Sequence, residues 1–164
     1  MKYLFICASL LAFVSCNSQQ SEAKKLAEQI NSTIMPGTIP TSEGSWTMKA
    51  RIKGEKWAAA SMMPPDASGR IIGYYKTEYI GLPYDRRDMY VGKKIKFGEN
   101  NAVDLSVNDD IGMYGGRTGE MEITKVDDNW AEGKFYFTGN TTQGSNKTVD
   151  VTEGFFRISL ARQK

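Results

Sequence analysis

The sequence predicts an all-β fold, an antiparallel sandwich or a partly closed barrel of about eight strands, in one domain over residues 46–164. Apolar and polar residues alternate with period two from Trp46 onward, which is typical of strands with one buried face. Turns rich in glycine, asparagine and aspartate separate these short segments, as in antiparallel sheets. A chain of 164 residues also suits one ordinary globular domain.

The chain begins with a predicted signal peptide, residues 1–15. A positively charged start precedes an apolar run over residues 3–14, which is too short to cross a hydrocarbon core of ~30 Å. The run ends in Val14-Ser15-Cys16, which resembles a bacterial lipobox. We therefore expect cleavage before Cys16 and lipidation of Cys16; the alternative is an ordinary signal peptide with a chance cysteine. Cys7 leaves with the signal peptide, so we expect no free thiol and no disulfide in the mature chain.

Residues 16–45 predict a lipidated N-terminus, a short helix and a linker. Apolar residues in 21–35 recur at the spacing of one helical stripe, and Pro36-Gly37 ends the helix before a linker over 38–45. We interpret the helix as a spacer between membrane and domain, with a partner-docking element as the alternative. The stripe consists of Ala23, Leu26, Ala27, Ile30 and Ile34.

The first half of the domain predicts a hairpin and one long central strand. Trp46, Met48, Ala50 and Ile52 alternate with polar residues, and Gly54-Glu55 turns the chain into a return strand. The following strand has apolar residues on both faces, as expected at the centre of a fold. The predicted elements are a strand over 46–53, its return strand over 56–62, a loop over 63–69, the central strand over 70–82 and a loop over 83–88.

The second half predicts five more strands. In the last strand, the apolar residues stand at odd-numbered positions before Glu153-Gly154 and at even-numbered positions after it. A glycine at this change suits a β-bulge. The glycine-rich segment 111–119 predicts a loop between strands, with an anion cradle clamped by Arg117 as the alternative. Asp127-Asp128-Asn129 predicts a tight connection. The five strands cover residues 89–97, 103–107, 120–124, 133–138 and 149–160.

The composition removes several classes of function. The chain has no histidine, which excludes histidine-dependent catalysis and histidine-ligated metals. Lysine and arginine number 21 against 19 acidic residues, and this balance argues against nucleic acid as a partner, because such a partner needs a basic face. The glycine spacings of phosphate and dinucleotide loops are absent from the sequence. No cofactor and no metal are predicted.

Aromatic residues are the main candidates for ligand binding. Rings on a β-scaffold stack on sugar rings or cap an apolar pocket, because each offers a large apolar face with a polar rim. The alternative is that the rings fill the core, since aromatic residues are favoured in strands. The candidate ligand-binding residues are Trp57, Tyr74, Tyr75, Tyr79, Tyr84, Tyr90 and Tyr114, together with Arg117.

Charged clusters offer three further interpretations. Aspartates 109–110 and 127–128, with Asp85 and Asp88, suit a carboxylate hydrolase or calcium ligands, although aspartate is also common in tight turns. The loop 84–88 would bind a partner's carboxylate through arginine, unless its charges pair among themselves. The predicted basic strand face would meet either anionic lipid or solvent; it consists of Lys49, Arg51 and Lys53.

Four segments carry a resemblance to a known group of proteins. They are residues 50–59 (ARIKGEKWAA), 119–124 (GEMEIT), 131–137 (AEGKFYF) and 151–158 (VTEGFFRI). Together they resemble Bacteroidota lipoproteins of unknown function. The resemblance covers residues 46–161 and implies one small all-β domain behind a lipidated N-terminus, opening with a G-x-x-W hairpin and closing with a T-x-G-x-F strand. It implies no catalytic residues.

The predicted location is the bacterial outer membrane, with the protein facing the periplasm. Bacteroidota lipoproteins that are exported to the cell surface usually carry an acidic cluster after the cysteine, whereas residues 17–22 contain one acidic residue, Glu22. Surface display is the alternative.

The sequence predicts a lipid-anchored, non-enzymatic binding or interaction module whose ligand or protein partner is unknown. Three alternatives remain open. A barrel-type carrier of an apolar ligand requires an internal cavity, and a carboxylate hydrolase requires two acids facing each other in a cleft. An immunity or inhibitor protein requires an exposed apolar patch.

Overall fold

The computed structural model describes residues 34–108, 112–141 and 147–161, apart from the side chain of Arg117. These residues belong to one compact unit, Thr33–Lys164. The predicted signal peptide, Cys16, the predicted helix as far as residue 33 and the aspartates 109–110 lie outside the described residues.

The described residues form an all-β fold, as the sequence predicts, with eleven strands instead of about eight. One short helix, α1 (Pro65–Ser68), and a 3₁₀ turn (Arg86–Asp88) lie in the two segments predicted as loops 63–69 and 83–88. The strands are β1 (Ile39–Pro40), β2 (Thr47–Ile52), β3 (Glu55–Ala58), β4 (Ser61–Met63), β5 (Arg70–Tyr75), β6 (Glu78–Pro83), β7 (Lys94–Lys96), β8 (Val103–Ser106), β9 (Met113–Val126), β10 (Trp130–Thr141) and β11 (Thr148–Ser159).

All strands pair antiparallel in one sheet that curls into a half-barrel. The order across the sheet is β1-β4-β5-β6-β8-β9-β10-β11-β2-β3, and β7 pairs with β9. The chain passes directly from β3 at one end of this order to β4 near the other. Ala59 N–H donates to Met48 O of β2 at 2.9 Å, and Ala60 N–H donates to Tyr74 O of β5 at 2.7 Å. These two residues therefore connect the ends of the curled sheet.

This junction corrects the prediction of one return strand over residues 56–62. The segment is interrupted at Ala59 and Ala60, where it leaves β2 and takes β5 as its partner. The alternation of apolar residues does not reveal the change, because both halves keep one face towards the core. The linker predicted over 38–45 also differs from the structure, since Ile39 pairs with Met62 in the β1–β4 ladder.

The prediction of one long strand over residues 70–82 is wrong. The segment is the hairpin β5–β6, in which Arg70 lies opposite Pro83 and Tyr75 opposite Glu78. Its turn contains Lys76 with a φ of 55°, a left-handed conformation for which lysine gives no sequence signal. The apolar residues on both faces arise because the outer face of this hairpin is itself half-buried.

Two more predictions in the second half require correction. Of the strand predicted over 89–97 only Lys94–Lys96 is a strand. The glycine-rich segment predicted as a loop over 111–119 is, from Met113, the start of the 14-residue strand β9. One of its glycines, Gly116, serves packing: a Cβ there would lie 2.3 Å from Val103 Cγ2 and 2.7 Å from the Phe137 ring.

The predicted bulge at Glu153-Gly154 is confirmed. The pairing of β11 with β2 shifts register between Thr152 and Phe155, and Glu153 has a φ of 51°. On the other side, the pairing of β10 with β11 shifts between Phe135 and Phe137. Such bulges increase local twist, so they help the long strands to curl.

The interior of the half-barrel is filled by apolar side chains. Three glycines each face a phenylalanine ring of a neighbouring strand: Gly116 faces Phe137, Gly133 faces Phe156 and Gly154 faces Phe135. We call these contacts the glycine–phenylalanine pairs. The rings contact one another, with centroids 6.4 Å apart for Phe135 and Phe137 and 6.5 Å apart for Phe135 and Phe156. The largest fully buried side chains are Phe137, Phe156, Met48, Met62, Ile71, Ile80, Leu82, Leu105, Met121, Ile123, Ile158 and Val103.

We predict that Gly133→Ala destabilises the domain by about 1–3 kcal/mol, the usual cost of inserting a methyl group into a packed core. The new Cβ would lie 2.4 Å from the Phe156 ring and 2.8 Å from the backbone oxygen of Glu122. Urea unfolding measures the effect. The control is Gly98→Ala, where no atom lies within 4 Å, and we expect a change within about 0.5 kcal/mol. Equal effects of the two substitutions would contradict the prediction.

Candidate functional site

The aromatic candidates do not form a single site. Trp57 and Tyr114 are buried in the core, where each is less than a tenth exposed. The Trp57 indole Nε1–H donates to the Glu78 carboxylate at 3.1 Å, and the other carboxylate oxygen accepts the Asn108 N–H at 3.1 Å. These contacts tie β3 to β6 and to the segment that follows β8, so they give Trp57 a structural role.

Tyr74 and Tyr79 are the two candidates that the structure brings together. They lie opposite each other on the outer face of the β5–β6 hairpin, with ring centroids 5.8 Å apart. Burial raises the pKa of both hydroxyls, and the Asp104 carboxylate raises that of Tyr79 further. Both phenols therefore stay neutral at physiological pH. Tyr75, on the same strand as Tyr74, is exposed with the Lys76 ammonium 5.4 Å from its ring centre.

Tyr84 and Tyr90 flank the 3₁₀ turn. Tyr84 packs against the core, and burial together with the Asp66 carboxylate raises the pKa of its hydroxyl. Tyr90 is exposed, with the Lys93 ammonium 5.6 Å from its ring centre. The last candidate, Arg117, has its backbone in β9, and its side chain lies outside the described part of the chain.

Both aspartates of the 84–88 loop pair with cations, Asp85 within the loop and Asp88 with Lys93 beyond it. The Arg87 guanidinium donates to both Asp85 carboxylate oxygens, with a shortest distance of 2.6 Å, and the Lys93 ammonium lies 2.9 Å from the Asp88 carboxylate. Hydrogen bonds from the Arg87 side chain and backbone lower the pKa of Asp85 from 3.8 to about 2. This geometry favours the interpretation in which the charges of the loop form surface ion pairs. It does not favour the interpretation in which Arg87 binds a partner's carboxylate.

The Asp127 side chain serves a turn. The Asp127 carboxylate accepts the N–H groups of Asn129 and Trp130, each at 2.9 Å, and these bonds lower its pKa. Its role is to close the β9–β10 turn. Within the described ranges, no group of three or more acidic, histidine or cysteine side chains is arranged to hold a metal ion.

A small polar depression of about 300 Å³ lies beside Arg70, Tyr84 and Asn101. The Arg70 guanidinium is already bound there: it donates to the backbone oxygens of Gly81 at 3.0 Å and Ala102 at 2.9 Å, and it pairs with the Asp104 carboxylate at 3.0 Å. The Nη2 atom of Arg70 therefore connects strands β5, β6 and β8 and is not available to a ligand.

A larger groove of about 620 Å³ crosses the outer face of β2, β11, β10 and β9. We call it the outer groove. Five of its nine lining residues are charged, and three are aromatic. Its lining residues are Lys49, Glu120, Glu122, Lys134, Phe135, Tyr136, Glu153, Gly154 and Phe155.

Strand register builds the two walls of the outer groove. In the first, which we call the lysine wall, Lys49 lies opposite Phe155, Phe155 opposite Lys134, and Lys134 opposite Glu122. In the second, the tyrosine wall, Tyr136 lies opposite Glu120 of β9. The bulge in β11 places Glu153 on the other side of Tyr136.

The floor of the outer groove lies between the two walls, where Gly154 pairs with Phe135. Gly154 has no side chain, and the Phe135 ring packs against it from the core. The same glycine–phenylalanine pair thus shapes both the core and the groove.

The carboxylates of the outer groove already have partners. Glu120 and Glu122 pair with the Lys94 ammonium at 3.3 and 3.7 Å, and the hydrogen bond that Lys94 donates to Glu120 raises the pKa of Lys94. Glu153 pairs with Arg51 at 2.9 Å.

Both lysines of the lysine wall remain available. The Lys49 ammonium sits 5.4 Å from the Phe155 ring centre, and neither Lys49 nor Lys134 has an ion-pair partner among the described residues. Tyr136 is 57% exposed, so its ring also remains accessible. The outer groove therefore offers two ammonium groups and one open aromatic face.

The sequence pattern does not single out the outer groove. It places Lys134 and Tyr136 only within the predicted strand 133–138, where their parity opposes that of the apolar Phe135 and Phe137, and Lys49 only as part of a basic strand face. The one available signal is an aromatic residue on the polar side of an alternating strand, at Tyr136. Bringing four strands together depends on the sheet order, which no local pattern contains.

Comparison with known proteins gave no match: no family model fits the chain, and no curated protein and no solved structure is similar to it. The resemblance to Bacteroidota lipoproteins therefore stays a prediction from the sequence. Within the part of the chain that the structure describes, no helix has the length and apolar character needed to cross a membrane.

We predict that Arg87→Gln raises the pKa of Asp85 from about 2 towards 3.8, because the guanidinium hydrogen bonds that stabilise its carboxylate are lost. NMR titration of the carboxyl carbon measures this pKa. In the native protein, the pair stabilises the fold at neutral pH, and this contribution disappears as the pH falls from 3.8 towards 2. Arg86→Gln is the control and should leave the Asp85 titration unchanged. A native pKa near 3.8 would disprove the ion pair.

Proposed function

We propose that this protein is a lipid-anchored, non-enzymatic binding module of the bacterial cell envelope, with the outer groove as its ligand site. The observation that carries the proposal is a packed interior combined with an open groove of about 620 Å³ on the outer sheet face. This volume lies within the range of about 300–1,000 Å³ that ligand sites usually have.

The packed core favours an external site over a carrier's cavity. A carrier of an apolar ligand needs internal space, but the inward positions of β2, β9, β10 and β11 hold large buried side chains. The glycine–phenylalanine pairs leave no room for a methyl group at Gly116 or Gly133.

The arrangement of acids favours binding over hydrolysis. A carboxylate hydrolase needs two acids facing each other across a substrate cleft. Asp85 and Asp88 pair with Arg87 and Lys93, and Asp127 closes a turn. In the outer groove, Glu120 and Glu122 lie on the same strand and share Lys94.

The exposed apolar residues favour a groove over a flat docking patch. An immunity or inhibitor protein would present a contiguous apolar surface. The large exposed apolar side chains described here are distributed over separate segments: Tyr75 on β5, Tyr90 and Val91 after the 3₁₀ turn, Met113 on β9 and Tyr136 on β10.

The membrane anchor in this proposal is Cys16, and its support is the lipobox-like end of the signal peptide. A lipid chain attached there would hold the domain at the outer membrane, facing the periplasm. Residues 17–45 would then separate the anchor from the β domain.

We predict that Cys16→Ser abolishes incorporation of radiolabelled palmitate and prevents signal-peptide removal, because the acyl chain and the cleavage site both depend on this thiol. The measurement is labelling of cells followed by gel electrophoresis of the outer-membrane fraction. The control is Cys7→Ser, which should be labelled as the native protein is, since Cys7 lies in the peptide that is removed. Labelling of the Cys16→Ser protein would refute the anchor.

We predict that the outer groove is occupied in the cell. A photo-crosslinking p-benzoylphenylalanine in place of Tyr136 should give an adduct of higher mass after irradiation of intact cells, detected by immunoblot and mass spectrometry. The control places the same group at Tyr90, which is 53% exposed against 57% for Tyr136 and does not line the groove. Absence of an adduct at position 136, or equal adducts at both positions, would overturn the proposed site.

A further inference from the structure

The backbone of the outer groove excludes one common mode of ligand binding. An extended peptide adds to a sheet by pairing with a free strand edge. In the groove, β10 is paired on both sides, by β9 and β11, and β11 is paired by β10 and β2. A ligand that crosses these strands therefore has to be recognised by side chains alone.

The side chains of the outer groove combine open aromatic surface with hydrogen-bonding groups. Tyr136 offers a ring face and a hydroxyl, and it lies next to Glu120 and Glu153. A pyranose ring matches this arrangement, because one face presents C–H groups and the rim carries hydroxyls that both donate and accept. An acyl chain would cover the aromatic rings but would leave the charged groups of both walls without a partner.

The charges of the outer groove point to an acidic ligand. Each groove carboxylate is engaged by Lys94 or Arg51, whereas the ammonium groups of Lys49 and Lys134 have no described ion-pair partner. Lys49 and Lys134 flank Phe155 in the lysine wall. Their Cα atoms are two strand spacings apart, or about 10 Å. A chain with a carboxylate on more than one ring would satisfy both ammonium groups.

We infer that the outer groove binds an acidic glycan, a chain of pyranose rings with carboxylate groups, in which one ring stacks on Tyr136 and the carboxylates pair with Lys49 and Lys134. This assignment rests on the proposed function, because it names the ligand class of the same site. The strained backbone of Glu153, with its φ of 51°, shapes the groove that holds the chain.

The test is isothermal titration calorimetry of the acylated mature protein, residues 16–164, in nonionic detergent. The probes are hexagalacturonate, which has a carboxylate on every ring, its methyl ester, which keeps the rings without the charge, and a hyaluronan hexamer. We expect at least one acidic hexamer to bind, the methyl ester to bind at least about tenfold more weakly, and affinity for the acid to fall as salt rises through 0.1 M, where charges are screened beyond ~10 Å.

Four variants separate the contributions of the two walls. Tyr136→Ala should weaken binding at least about tenfold, whereas Tyr136→Phe, which keeps the ring, should bind within about twofold of the native protein. The double variant Lys49→Met and Lys134→Met should reduce affinity for the acid at least about tenfold and remove most of its salt dependence. Lys76→Met is the matched control: Lys76 also lies over an aromatic ring, but outside the groove, and its loss should change nothing.

Three results would overturn the assignment: no binding of either acidic hexamer, equal binding of the methyl ester, or binding that Tyr136→Ala leaves unchanged. The photo-crosslinking experiment in intact cells distinguishes failure of the glycan assignment from failure of the proposed function. An adduct at position 136 without binding of either hexamer would reject the acidic glycan alone, and the absence of an adduct would reject the site itself.

Discussion

Contact between glycines and phenylalanine rings is the constraint on which the rest of this structure depends. Gly116, Gly133 and Gly154 lie on three consecutive strands of the sheet, and each faces a ring from a neighbouring strand. A side chain at Gly133 or Gly154 would collide with a ring and with a backbone oxygen. Because the rings also contact one another, these pairs fix both the spacing of the long strands and the filling of the interior.

The same packing shapes the outer surface. The Phe135 ring packs against Gly154 from inside, while the bulge moves Glu153 outward. The outer groove lies between the lysine wall and the tyrosine wall, and the order of side chains in each wall follows from strand register. Because the described interior is packed, the accessible groove lies on the outside of the sheet, where carboxylates pair with neighbouring cations and two lysines and a tyrosine remain accessible.

Individual residues show why a residue type alone does not define a site. Trp57 and Tyr136 are both aromatic residues on strands, yet Trp57 is buried and bound to Glu78, whereas Tyr136 is open to solvent. Arg87 and Lys134 are both cations on the surface, yet Arg87 is held by Asp85 and Lys134 has no described ion-pair partner. The difference comes from neighbours that are distant in sequence, such as Glu78 for Trp57.

The sequence by itself determined the all-β class, the bulge at Glu153-Gly154 and the β9–β10 turn, because side-chain alternation and turn residues are local properties. Only the tertiary structure decided that residues 70–82 form a hairpin, that residues 113–119 belong to a strand, and that the chain changes partners at Ala59 and Ala60. It alone brought Lys49, Phe155, Lys134 and Tyr136 to one groove. Strand order and register depend on which residues meet across the core, and that choice is made by packing between segments far apart in the chain.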